Sequence, residues 1–166
     1  MSVTITRDGY GQVEPNHISA PRDGRVYAQL PFDPESNIKV LEQGMFVKYD
    51  YAAGKCVIDA SGNGPWYMVY NEEKLYDERK QMHKDFAMKA EDFYDGKMYP
   101  RVFGMVPGDI FTTNTFSAST TLSVGTELAV DGTTGMLIAS SGGPFIVAKE
   151  TTMPDGQPAV KVQVIA

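Results

Sequence analysis

The stretch from Val124 to Glu150, "VGTELAVDGTTGMLIASSGGPFIVAKE", decides the fold, because the chain has already used its punctuation once. From Gln43 to Glu73 it reads "QGMFVKYDYAAGKCVIDASGNGPWYMVYNEE". Gly44 answers Gly125, Asp50 answers Asp131 and Gly54 answers Gly135. A short apolar run then leads to a Gly-Pro-aromatic step, Gly64-Pro65-Trp66 in one copy and Gly143-Pro144-Phe145 in the other, followed by alternating apolar residues. A shared order of turns predicts a shared piece of architecture.

Within the first copy, "IKVLEQGMFVKYD" and "KCVIDA" are rich in β-branched and aromatic residues and are separated by a glycine-bounded turn, which predicts a hairpin. "PWYMVY" supplies a third strand. "TLSVGTELAVD", "GMLIAS" and "PFIVAKE" repeat these events, and "AVKVQVIA" alternates most cleanly, with Val160, Val162 and Val164 on one side and Lys161 and Gln163 on the other. Many short strands at close turn spacing predict a mainly β protein, a small antiparallel β-barrel or sandwich. A copy of roughly thirty residues is too short to be stable alone. Both are therefore expected in one barrel-like domain over residues 38–166, with two small subdomains as the alternative.

Two segments depart from this pattern. Residues 1–37 carry Pro15, Pro21, Pro31 and Pro34 among Gly9, Gly11 and Gly24, a composition that withdraws backbone donors and predicts an extended N-terminal arm. Such an arm either orders against a partner or lies as coil along its own domain. Between the copies, Asn71 followed by Glu72 and Glu73 reads as a helix start, Leu75, Met82 and Phe86 as one apolar stripe, and Asp95-Gly96 as a stop. A helical insert at about 71–95 is the expectation.

Composition bounds the function. At 166 residues the chain can bury roughly 70% of its unfolded surface and needs no disulfide. A net charge of −6 with no basic run argues against a nucleic-acid partner. Cys56 is the single cysteine and reads as a small buried strand residue. No stretch is apolar enough for a signal peptide or a membrane span, so a soluble protein made in a cytoplasm is expected, with no membrane partner.

A search for chemistry yields little. His17 and His83 are the only histidines, without the local ligand spacing of a metal site or a nucleophile-bearing turn, so no catalytic, metal or cofactor residue is assigned. Asp50 and Asp131 could in principle form the dyad of a duplicated aspartic protease, but the chain has "DYA" and "DGT" where such an enzyme needs Asp-Thr-Gly or Asp-Ser-Gly. Both aspartates read better as residues that begin hairpin turns, whose carboxylates bond the backbone two residues on. "ASGNGP" and "SSGGP" lack the lysine and helix of a phosphate cradle and read as turns. Trp66, Tyr67 and Tyr70 could stack on a sugar, or pack as core. "TTNTFSASTT" suits a solvated edge strand or loop.

The cadence G-x-x-Φ-x-x-D-x-x-x-G, then "GPF" and a final "VKVQVI", resembles the small β-barrel decoration or cement proteins of tailed-bacteriophage heads. The resemblance covers residues 40–166. It implies a non-enzymatic protein that docks on the outside of a phage capsid, binds the major capsid protein and clamps the lattice, often as a homotrimer on a local symmetry axis. Its location would be the virion surface after assembly in the host cytoplasm. On that expectation Arg22, Arg25 and Tyr27 of the arm, and Trp66 of the core, are candidate partner-binding residues. A tail, baseplate or glycan-binding module stands second, and a hydrolase built on Asp50 and Asp131 third.

Overall fold

The computed structural model describes residues 1–59, 65–71 and 87–166. In chain order its elements begin with β1 (Ser2–Ile5), β2 (Val13–His17), a single helical turn α1 (Ala20–Asp23) and β3 (Val26–Tyr27). The first copy supplies β4 (Val40–Glu42), β5 (Phe46–Asp50), β6 (Lys55–Val57) and β7 (Tyr67–Val69), followed by β8 (Ala87–Lys89) and β9 (Val102–Gly104). The second supplies β10 (Ile110–Thr113), β11 (Thr120–Ser123), β12 (Glu127–Val130), β13 (Leu137–Ala139), β14 (Phe145–Thr152) and β15 (Pro158–Val164). One sheet has the order β3-β9-β7-β5-β6 and another the order β13-β12-β14-β15-β10-β2, with β1-β11 and β4-β8 as two-stranded pairs. All these pairings are antiparallel.

The repeated turns mark a full structural duplication. β3, β4, β5, β6, β7 and β9 recur in the same chain order as β10, β11, β12, β13, β14 and β15, and the sheet orders β3-β9-β7-β5-β6 and β10-β15-β14-β12-β13 correspond strand for strand. The register agrees as well. Tyr49 faces Cys56 as Val130 faces Leu137, and Phe46 faces Met68 as Glu127 faces Ile146. Met68 faces Phe103 as Ile146 faces Gln163, and Val26 faces Phe103 as Ile110 faces Gln163. Even the isolated parallel bridges match, Phe32 with Cys56 and Phe116 with Leu137. One detail of the sequence echo shifts by a residue: Phe145 pairs with Leu128 as Tyr67 pairs with Val47, so Phe145 answers Tyr67 rather than Trp66.

Neither unit closes into a barrel; each is an open sheet, and the two are packed on one another. Strand alternation gives the first sheet two apolar faces. Val47, Tyr49, Cys56, Val69 and Val102 line a core with Phe32, Leu41 and Met98. Phe46, Met68 and Phe103 point the other way, into a second core built on Phe111, Leu128, Leu137, Phe145, Val147 and Val162 of the second unit. Phe46 and Phe145 meet with ring centroids 5.3 Å apart. Each such side chain, fully withdrawn from water, contributes roughly 2–3 kcal/mol.

Residues 1–37 do not form a free arm. β1 pairs along β11, β2 along β10 and β3 along β9, while Phe32 and Asp33 bond the chain beside Cys56 and Met98. Prolines and glycines set the breaks between these short pieces, yet Ile5, Val13, Ala20 and Phe32 are buried. The expected helical insert is also not what its described part forms: residues 87–89 are strand β8 and 90–92 a short 3₁₀ turn. The remainder of that expectation, 72–86, lies outside the described residues. Asn71 accepts the Arg101 amide on its side-chain oxygen at 2.9 Å, which clips together the two ends of the insertion; its reading as a helix cap concerns residues outside the described ones.

The second unit's turn is wedged against the first unit. Gly135, at φ 74°, gives its carbonyl to the Phe46 amide at 2.7 Å, and a Cβ there would lie 2.7 Å from the Phe46 carbonyl oxygen. Gly54 occupies the matching turn at φ 66° with nothing within 4 Å. Gly54→Ala is expected to cost about 1 kcal/mol, the left-handed penalty alone, and Gly135→Ala about 2 kcal/mol more. Urea midpoints of the two variants measure the difference; equal shifts would mean that the Gly135 turn bears no inter-unit load.

Candidate functional site

The four candidate binding residues divide by burial. Arg25 is spent inside the fold: its guanidinium donates to the Gly104 carbonyl at 3.1 Å, to Asp23 at 3.0 Å and to the Ser19 hydroxyl at 2.5 Å. Ser19 in turn donates through its amide and hydroxyl to the buried Asp109 carboxylate, so Arg25 anchors α1 to the β9 edge. The Arg25 hydrogen bond holds the Asp23 carboxyl below its ordinary range. Tyr27 is packed among Tyr49 and Tyr67, with centroids 6.2 and 5.2 Å away. Trp66 rests half-buried on the core with the Lys48 ammonium 4.7 Å from its ring centre. Arg22 alone among them stands out in solvent, its side chain 75% exposed.

Other residues change place too. The first half of "TTNTFSASTT" is buried: Thr113, Asn114 and Thr115 are fully covered, because their polar atoms replace water with a bonded seam. Thr113 donates its hydroxyl to the Gln12 carbonyl, Gln12 its amide to the Asn114 oxygen, and Thr115 its hydroxyl to the Gln43 carbonyl, at 2.8, 2.8 and 2.6 Å. Gln43 then holds both the amide and the carbonyl of Asn71. Alongside, Arg7 grips Glu42 with two bonds, 2.8 and 3.1 Å, and the Gly11 amide adds a third at 3.1 Å. Asp50 and Asp131 sit at matching turns: Asp131 accepts the Thr133 amide two residues on at 2.9 Å, as the turn chemistry predicts, while Asp50 accepts the Ala53 amide, three residues on, at 3.1 Å.

What the structure offers to a partner is surface. The second sheet turns Ile110, Glu127, Ala129, Ile138, Ile146, Lys161 and Gln163 outward, all half-exposed, on the face matching the one that Phe46, Met68 and Phe103 bury in the first. At its Gly125 end a shallow open depression of about 440 Å3 is lined by Gly125, Thr126, Glu127, Ala139, Ser140 and Ser141. Large aromatics stand out from the first unit: Tyr51 is 73% and Tyr94 106% exposed, with Phe93 and Tyr99 beside Tyr94 in sequence. Strand patterning could not single out these side chains, since they lie in turns and loops outside the strands. Among the described residues there is no group of three His, Cys, Asp or Glu side chains able to hold a metal ion, and no helix long and apolar enough to cross a membrane. No protein-family model, curated protein or solved structure matches the chain.

Cys56 is fully buried, and desolvation pushes its thiol up to about 12. The same cause raises the Tyr49 phenol. Below about pH 9 the folded and unfolded thiols are both protonated and the contribution to stability is complete. Above it the unfolded thiol ionises while the folded one does not, so stability is lost as pH rises towards 12, by up to about 1.4 kcal/mol per unit from this group. Urea melts from pH 8 to 11 are expected to show the decline, and Cys56→Val should flatten its first part. In the native protein at pH 8 the thiol should resist a disulfide reagent that titrates it fully in denaturant.

Proposed function

We propose that the chain is a non-enzymatic structural protein of the tailed-bacteriophage virion, which binds the outer surface of the capsid through the major capsid protein and stabilises the lattice. The half-exposed outer face of the second sheet carries this reading. It is an antiparallel surface on which apolar and polar side chains alternate from strand to strand, Glu127, Ile146, Gln163 and Ile110 lying side by side across four strands with Lys161 beside them. A broad face of this mixed character suits the surface of another protein better than a small ligand, which is taken in a concave site. The turn cadence and closing "VKVQVI" supply the family side of the reading, and Arg22 adds an exposed cation. A protein that binds only the mature lattice stabilises it by mass action at every site it fills. Exposed Tyr51, Tyr94 and Tyr99 favour one second reading, a glycan-binding module of the tail or baseplate.

The test is co-sedimentation of the purified chain with capsids of the phage that encodes it, before and after lattice expansion. Saturable binding to expanded shells, and a higher temperature of shell disruption, are expected. Ile110→Glu, on the β10 side of the outer face, should weaken that binding about tenfold or more without lowering the melting temperature of the free chain. Absence of the chain from purified heads, or its recovery with tails alone, would refute capsid binding.

A further inference from the structure

The second unit's turn, 131–135, acts as a plug in the first unit. Gly135 lies against the Phe46 backbone and the Ile58 side chain and accepts the Phe46 amide. Both halves of this contact have counterparts that are not engaged with one another. The first unit carries the same turn at 50–54, capped by Asp50 as the other is by Asp131, with Ala52, Ala53 and Gly54 exposed and nothing within 4 Å of a Cβ on Gly54. On the second unit, Glu127 and Ala139 stand where Phe46 and Ile58 form the receiving groove, and there the open depression of about 440 Å3 is found.

We infer that copies of this chain join head to tail, the 50–54 turn of one seating in the depression between Thr126 and Ser141 of the next. The intramolecular contact shows what the depression receives: a small-residue turn whose backbone approaches closely. Replacing Ile58 by Ala139 at the equivalent position leaves the room, and the turn that would enter carries only Ala52, Ala53 and Gly54 at its tip. Tyr51, 73% exposed at the base of that tip, supplies the aromatic area that such interfaces favour. The contact is heterologous, so it closes into a ring if the rotation between copies divides a full turn and otherwise propagates as a filament. A ring of three would be the homotrimer that the resemblance to phage decoration proteins implies. This deepens the oligomer part of the proposed function and does not rest on capsid binding: the turn and depression lie away from Ile110, which is three strands across the sheet from Glu127.

Light scattering of the full chain over a concentration series is expected to show a mass above the monomer. Tyr51→Ala and Ala139→Arg, both at exposed positions, should each weaken association about tenfold or more, whereas Ile110→Glu should leave it unchanged. Under mild oxidation, an Ala53→Cys chain mixed with a Ser141→Cys chain should form a disulfide-linked pair faster than either does alone, the native Cys56 being buried. A monomer at all concentrations, association that survives both Tyr51→Ala and Ala139→Arg, or a mixture that cross-links no faster than the single variants would each overturn the inference. Loss of capsid binding in Ile110→Glu with self-association intact would separate the two proposals.

Discussion

Everything in this fold depends on one sheet being buried on both faces. The first unit's strands send Val47, Tyr49 and Val69 into one core and Phe46, Met68 and Phe103 into the other, so that sheet is the middle layer of the molecule. The Phe46 and Phe145 rings and the Gly135 carbonyl on the Phe46 amide join the units at one place, coupling apolar burial to a backbone hydrogen bond. Hydrophobic burial is non-directional and would tolerate the sheets sliding over one another. The hydrogen bond at a left-handed glycine does not, and it fixes their register.

Each unit also has an open side, and the two are closed by different means. In the first, Met88, Ala90 and Met98 of the inserted segment cover the core, and β8 pairs with β4. The second has only the short turn between β14 and β15 at that point in the chain, so its cover comes from elsewhere: β1 takes the place along β11 that β8 takes along β4, with Val3 opposite Leu122 as Met88 is opposite Leu41. This explains why the N-terminal segment is drawn into the fold. Left free, it would expose the edge of β11 and the apolar side chains around Leu122. The buried seam of Gln12, Thr113, Asn114 and Thr115 meets the backbone needs of the segment where it crosses between units, and the Arg7 and Glu42 pair holds its bend.

Turns were the part of this architecture most legible in the sequence, because Asp and Gly at fixed positions in a turn have local physical causes. The hairpins around Asp50 and Asp131 and the strands beside them could therefore be read residue by residue. The pairing of β1, β2 and β3 could not: strands of two to five residues carry too little alternation to specify a partner, and that partner lies more than seventy residues away. "TTNT" was misleading for a related reason, since hydroxyl and amide side chains look solvated until their hydrogen-bond partners are known. At the candidate surface, Arg25 and Tyr27 were legible as residues of consequence but not as packed ones. The outer face of the second sheet became visible only once its counterpart in the first was seen to be covered.

That comparison also bears on how far the stacking of units can go. Two of the four central positions of the buried face stay apolar in the second unit, Ile110 for Val26 and Ile146 for Met68. The other two are polar, Glu127 where the first unit has Phe46 and Gln163 where it has Phe103. The Glu127 carboxylate accepts the Gly142 amide, but burying its remaining acceptor sites and the Gln163 amide without further partners costs more than the apolar pair returns, so another unit of the same kind cannot be stacked flat across the face by hydrophobic packing alone. A surface that supplies bonds to Glu127 and Gln163 while covering the isoleucines can. The face thus resists casual aggregation and still rewards one complementary partner, because its polar positions penalise every covering surface that leaves them unpaired.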